Sequence, residues 1–278
     1  MHESELQDIE IELFIRALKL RYGYDFSQYA PASFKRRVQS LLMHAKVARV
    51  SQLTDRLLHD EGFLPEVISR LSVPVSEMFR NPEAFRALAA DVFPVLASHP
   101  RINIWQAGCA NGEEVYSLAI LLSEAGLYER ARIYATDISP AALARAQEAI
   151  YPARDAKLYS ENYLRAGGSG SLSDYFHADY GHVKLDEKLK RNVTFAQHNL
   201  AADGVFVEAQ LILCRNVLIY FREPLQARVL TLFRDSLARG GFLCLGNKEM
   251  LELSPVAADF RRVETGVALY RRLGHGGG

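Results

Sequence analysis

Cysteine is scarce: Cys109, Cys214 and Cys244 are the only three in 278 residues, and none belongs to a Cys-x-x-Cys pair. An odd, scattered set argues against a disulfide framework or a zinc site and fits the reduced thiols of a cytoplasm. No metal is expected. Charge of one sign is missing too: 33 Lys and Arg balance 33 Asp and Glu, for a formal net charge of zero. No global field draws the chain to nucleic acid or membrane, and no broad basic stripe speaks for nucleic acid. No apolar run approaches membrane-spanning length, and the acidic, polar N-terminus lacks the apolar core of a signal peptide. A soluble cytoplasmic protein without membrane insertion is expected. Internal repeats are also absent.

What is present centres on residues 101–137. Ile102-Asn103-Ile104-Trp105-Gln106-Ala107 reads as a buried strand running into the small-residue loop Gly108-Cys109-Ala110-Asn111-Gly112. Glu113 to Leu122 carries apolar residues at helical spacing, and a second strand, Ile133-Tyr134-Ala135-Thr136, ends on Asp137. Strand, glycine turn, helix, strand and terminal acid form the first half of a nucleotide-binding α/β domain, with Asp137 placed to take two ribose hydroxyls. A pyrophosphate needs the helix N-terminus for itself, and Glu113 and Glu114 would repel it there. A ligand with a ribose and a cationic end fits better, and S-adenosylmethionine has both. The alternative is that the two glutamates merely suit the dipole of an ordinary α/β helix.

Residues 1–71 read as a small helical bundle: an amphipathic helix stopping near Gly23, then helices over 32–47, 51–58 and 64–71. The second presents Lys35, Arg36 and Arg37 opposite its apolar face, either a solvated surface or a docking site for an acidic partner. Residues 72–98 are a linker, extended around Pro74 and bounded by Pro82, plus a lead-in helix over 84–96. The main domain spans 99–273. Ser139-Pro140 caps a helix over 141–149, and 155–190 reads as a small antiparallel β insertion turned at Asp179-Tyr180-Gly181. Strands resume at Val193–His198 and Leu211–Cys214. A helix over 224–238 ends at a Gly240-Gly241 cap, a strand follows at 242–245, and a hairpin turned at Thr265-Gly266 closes the sheet. Residues 274–278 are glycine-rich and are expected to be a flexible tail.

Five motifs, in order, resemble the CheR family of chemotaxis receptor glutamate methyltransferases. They are Val75-Ser76-Glu77-Met78-Phe79-Arg80-Asn81-Pro82, Gly112-Glu113-Glu114-Val115-Tyr116-Ser117, Ala135-Thr136-Asp137-Ile138, His198-Asn199-Leu200 and Cys214-Arg215-Asn216-Val217-Leu218-Ile219-Tyr220-Phe221. The resemblance covers nearly the whole chain. It implies a Rossmann-like class I methyltransferase sheet behind an all-helical N-terminal domain, with a small antiparallel β insertion. It further implies S-adenosylmethionine as donor, S-adenosylhomocysteine as product, and a chemoreceptor's cytoplasmic helical bundle as partner, the enzyme being a monomer.

By position, the resemblance puts Pro74, Ser76, Arg80 and Gly108 beside the cofactor. One of Glu113 and Glu114 takes its ammonium, Asp137 its ribose, Asn199 and Leu200 its adenine, and Arg215 and Asn216 its methionyl part. Arg80 and Tyr220 flank the methyl group. Pro74 replaces a polar residue of many relatives and removes one hydrogen bond. The turn His177-Ala178-Asp179-Tyr180-Gly181-His182 lacks the Gly-x-Gly loop with which some relatives grip a receptor tether, so none is expected here. A glutamate carboxylate is already ionised near neutrality, so the missing general-base constellation does not exclude an enzyme. The competing readings are a non-catalytic S-adenosylmethionine-sensing or scaffold module and a methyltransferase for another substrate.

Overall fold

The computed structural model describes residues 3–274. Helices α1 (Glu3–Tyr22), α2 (Pro31–Ala45), α3 (Val50–His59) and α4 (Leu64–Leu71) form the N-terminal bundle. Phe14, Leu18, Phe34, Val38, Leu41, Leu53, Leu57 and Val67 recur at three- and four-residue spacing and close its core. Pro31 opens α2, where its missing N–H goes unneeded.

After an extended linker come α5 (Pro82–Ala87), a π turn over Leu88–Val92 and α6 (Phe93–Leu96). The single helix expected over 84–96 is therefore interrupted. Pro94 has no N–H to return to the preceding turn, and the ladder shifts register to accommodate it.

The remaining elements are β1 (Ile102–Ala107), α7 (Glu113–Glu124), β2 (Ala131–Asp137), α8 (Pro140–Glu148), β3 (Ile150–Pro152), α9 (Ala156–Arg165), β4 (Phe176–Asp179), β5 (His182–Leu185), β6 (Val193–Gln197), β7 (Ala209–Cys214), α10 (Glu223–Ser236), β8 (Leu237–Leu245), β9 (Phe260–Arg262) and β10 (Leu269–Arg272). Seven strands form one sheet in the order β6-β2-β1-β7-β8-β10-β9. The first five run parallel, with β1 on β2 from Ile102↔Ala131 to Ala107↔Thr136. β10 and β9 add antiparallel, as the expected closing hairpin. Alternate strand residues feed two cores. Ile104, Ile133 and Leu213 meet the α7 side chains, while Trp105, Ile212 and Leu243 meet those of α10. No described helix is long and apolar enough to cross a membrane.

Two boundaries depart from expectation. The insertion starts at Ile150 rather than 155. It contains helix α9 as well as a three-stranded antiparallel sheet, β3-β5-β4. Its buried helical face is Tyr159, Asn162 and Tyr163, which does not read as an aliphatic stripe. Gly240-Gly241 does not cap α10: the helix ends at an extended Leu237, and both glycines lie inside β8. A Cβ on Gly241 would come within 2.9 Å of the Ala238 carbonyl oxygen, close to where the β7–β8 register shifts. Of the tail expected over 274–278, residues 275–278 lie outside the described residues.

Candidate active site

β1, β2 and β6 run to one side of the sheet and β7 and β8 to the other, so the strand order reverses between β1 and β7. Doubly wound folds bind ligands in the crevice at such a point, beyond the C-terminal strand ends. A cleft opens there, at the place where ligand sites of such sheets are found. Its walls carry Gln106 and Gly108 from the end of β1, Asp137 from β2, His198, Asn199 and Leu200 after β6, and Arg215, Asn216 and Tyr220 after β7. Ser76 and Arg80 enter from the linker, and Tyr29, Ser33 and Arg37 from the helical domain.

The loop after β1 is tightly determined. Gly108 has φ +73°, and a Cβ there would come within 2.5 Å of Val217, so β1 and the turn after β7 approach as only glycine allows. Asp137 pins the same loop: its two carboxylate oxygens accept from the N–H groups of Ala110 and Ser139, each at 2.9 Å. Burial raises its pKa above the ordinary value, and the backbone N–H groups oppose that rise. Each carboxylate oxygen keeps a lone pair for a ligand hydroxyl.

Glu113 and Glu114 divide sharply. Glu114 lines the cleft, accepts from the Gln106 amide at 3.0 Å, and pairs with Arg215 at 2.7 Å, the two side chains only 8% and 1% exposed. Glu113 points away from the cleft, toward the insertion. Burial lifts its pKa to about 7 against the pull of its own backbone N–H, the Asn111 amide and Arg145, and one carboxylate oxygen has no partner among the described residues.

Arg215 also donates to the Arg80 carbonyl at 2.8 Å and to Asn81 Oδ1 at 3.2 Å. Burial works against its charge, and Glu114 together with Cys244, Glu249 and Glu83 more than offsets it, leaving the pKa raised. Arg215 therefore braces Glu114 and the linker. The consequence reaches Arg80, whose neighbours Phe79 and Asn81 both adopt left-handed backbone, at φ +53° and +52°. Such conformations cost on the order of 1–3 kcal/mol each and persist only where surroundings enforce them. Phe79 is fixed by its ring on Phe85 and Tyr163 and by its N–H on Ser117 Oγ; Asn81 is fixed by Arg215. The Arg80 guanidinium lines the cleft and makes no hydrogen bond or ion pair among the described residues.

The turn carrying Asn216 to Tyr220 is held by Glu249, which nothing in the motifs pointed to. Its carboxylate accepts from the N–H groups of Gly246, Asn216 and Ile219 at 2.7, 3.0 and 3.3 Å. The only available signal was a lone acid in the polar turn after β8.

Three of the expected groups lie apart from the cleft or from one another. Pro74 does not line the cleft; its carbonyl accepts from the Asn111 side chain at 2.7 Å and ties the linker to the glycine loop. Glu113 does not line it either. Lys35, Arg36 and Arg37 do not form one docking face, because successive helical residues stand about 100° apart. Lys35 pairs with Asp8 on α1 at 2.7 Å, and Arg36 is exposed. Arg37 turns into the cleft, 4.8 Å over the Tyr220 ring, and donates to the Leu71 carbonyl. The helical domain is thus part of the site. The Ala30 N–H donates to the Tyr220 carbonyl at 2.8 Å, Arg222 N–H to the Gln28 carbonyl, and Tyr29 bridges to Phe221. No cluster of three metal-ligating side chains occurs among the described residues.

The groups present suit a cationic nucleoside. The cleft holds a buried carboxylate, an acid at the end of β2, and Gln106 Oε1 and Asn216 Oδ1 acceptors without partners among the described residues. This is a methyltransferase domain built to bind S-adenosylmethionine behind an all-helical domain. Residues 74–267 match the CheR methyltransferase SAM binding domain, and residues 9–72 match the CheR methyltransferase all-alpha domain. The chain belongs to the CheR methyltransferase family. It is 48% identical over 265 residues to a Pseudomonas putida protein named methyltransferase Cher3, covering 95% of this chain and 97% of that one. A chemotaxis protein methyltransferase of Listeria monocytogenes is 32% identical, over 86% and 88% of the two chains. A Pseudomonas aeruginosa methyltransferase named for biofilm formation, WspC, is 30% identical over 87% of this chain and 57% of its own.

Proposed function

We propose that this protein transfers the methyl group of S-adenosylmethionine to glutamate side chains on the cytoplasmic helices of a chemoreceptor, forming methyl esters. One observation carries the reading: an uncommitted guanidinium, that of Arg80, held at the cleft wall by a strained and braced linker. A guanidinium without other partners, carried on a braced backbone, suits a carboxylate, which it engages through two parallel hydrogen bonds. The acceptor is ionised at neutral pH, so no base is required and alignment carries the rate enhancement; holding reactants in line is worth roughly 7–11 kcal/mol. Arg80 must align without gripping, because ground-state binding alone does not raise the chemical rate.

S-adenosylmethionine, when bound, supplies a sulfonium-activated methyl. In this reading Glu114, rather than Glu113, holds the ammonium, since it is the one that faces the cleft. Asp137 takes the ribose, Asn199 and Leu200 border the adenine, and Asn216 Oδ1 and Gln106 Oε1 accept from the amino-acid end. Tyr220, stacked under Arg37, positions the methyl or the acceptor. Arg36 is the residue of the basic triplet left to dock an acidic receptor face. The β4–β5 turn supports a tether-free enzyme: Asp179 pairs directly with His182 around Tyr180-Gly181, leaving no loop to grip a peptide. The complete set of cleft residues speaks against a purely sensing module.

The test is incubation with methyl-labelled S-adenosylmethionine and purified cytoplasmic fragments of chemoreceptors from the same cell. The reading predicts label on the receptor that is released as methanol by mild base. Base-stable label, or none on any receptor, overturns it.

A further inference from the structure

Helix α1 is apolar on two opposite sides. Ile11, Phe14 and Leu18 face the bundle core, whereas Leu6, Ile9, Leu13 and Leu20 are 47%, 46%, 56% and 75% exposed. Leu6, Leu13 and Leu20 are spaced by seven, and Ile9 follows Leu6 by three, so all four lie on one stripe directed away from the core. Four large apolar side chains in line along one exposed helix are not the scattered surface residues that need no explanation.

The charges of α1 say what covers this stripe. Every acidic residue of the helix precedes Leu13, and every basic one (Arg16, Lys19 and Arg21) follows it. Several of these also make exposed pairs within their own bundle: Asp8 with Lys35, Lys19 with Asp25, Arg21 with Glu61. Glu12 and Arg16, which flank the stripe beside its midpoint, make none among the described residues. A helix with an acidic half, a basic half and a centred apolar stripe is complementary to itself when reversed. We infer that α1 is the interface of a two-fold dimer in which the stripes of two copies pack antiparallel. Leu13 then sits on the axis, Leu6 lies opposite Leu20 of the partner subunit, and each acidic half meets a basic half. The contact is isologous and closes at two copies. A helix of 20 residues is about 30 Å long and about 10 Å wide, so each copy buries roughly 300 Å², well under the roughly 800 Å² of a standard interface. The dimer is therefore weak and concentration-dependent.

The inference stands apart from the methylation chemistry, and sedimentation velocity on the full chain tests it. Wild type shifts from monomer toward dimer as its concentration is raised, the behaviour of a small two-fold contact. Leu13→Asp, an exposed site whose circular-dichroism melt stays unchanged, raises the dimer Kd at least tenfold. Glu12→Arg and Arg16→Glu each weaken self-association, and an equimolar mixture of the two associates more tightly than either alone, because opposite charges then face each other across an antiparallel contact. A wild type monomeric throughout, association unaffected by Leu13→Asp, or no gain on mixing overturns the proposal. A monomeric wild type that binds a receptor fragment through Leu13 also overturns it, in favour of a receptor helix as occupant.

Discussion

Removing the Arg215 side chain tests how the site is held together. The Arg215–Glu114 pair lies at 2.7 Å with both side chains almost wholly out of water. Truncating one member of such a pair leaves the other charge buried and uncompensated, at a cost of about 3–5 kcal/mol. Replacing both members by apolar or neutral groups removes the stranded charge along with the attraction, and the net cost falls toward zero. Arg215→Met should therefore lower stability by about 3–5 kcal/mol, while Glu114→Gln/Arg215→Met should cost markedly less than the two single changes added together. Urea unfolding followed by fluorescence is the assay. Trp105, the only tryptophan, is fully buried at the centre of the large sheet and reports the methyltransferase domain. A cost under about 1 kcal/mol for Arg215→Met, or strict additivity in the double variant, would refute the argument that burial makes this pair a structural brace.

Other outcomes follow from the same geometry. Asp137→Ala should weaken S-adenosylhomocysteine binding about 100-fold or more in calorimetry, as two hydrogen bonds to a charged acceptor are worth about 1.5–3 kcal/mol each; an unchanged Kd would remove Asp137 from the ribose. Glu113, at about 7 in the folded chain against an ordinary 4.5, holds a proton that the unfolded chain releases. Its stabilisation is complete below the unfolded value and is lost as pH rises through about 7, roughly 3 kcal/mol over that window. Asp137 and Glu249, both raised by burial, act in the same direction. Glu113→Gln should thus gain stability relative to wild type between pH 5 and pH 8, and parallel pH profiles would contradict this. Arg36→Glu should raise the receptor KM and flatten its salt dependence. A KM unchanged at low salt would mean that the exposed face of α2 is merely solvated.

Local patterns exposed much of this architecture to a reader of the sequence. The strand at 102–107, the glycine turn, Asp137 and the Ser139 cap are short-range signals, because each is defined by residues within about one turn or strand of it. Ser76, Arg80, Asn199, Leu200, Arg215, Asn216 and Tyr220, all residues of the quoted motifs, line the cleft. What escaped notice depends on distant partners. Helix α9 buries tyrosines and an asparagine rather than aliphatic residues, and β3 is three residues long. Arg37 reads as one of three neighbouring cations until Tyr220, 183 positions later, appears beneath it. Glu249 and Tyr29 matter only through folding that brings them to the turn after β7. Which member of the Glu113-Glu114 pair faces the cleft was equally hidden, since both precede the same helix and only Gln106 and Arg215 distinguish them.

The central claim is that Arg80 acts on the acceptor carboxylate from a braced linker. Arg80→Ala tests it most directly, with S-adenosylhomocysteine affinity measured by calorimetry and methyl transfer to receptor measured at saturating donor. The account predicts a Kd within about threefold of wild type and a turnover reduced about 100-fold or more, the scale of losing one well-aligned charged interaction at the reacting group. Turnover equal to wild type, or a loss explained entirely by weakened cofactor binding, would contradict it.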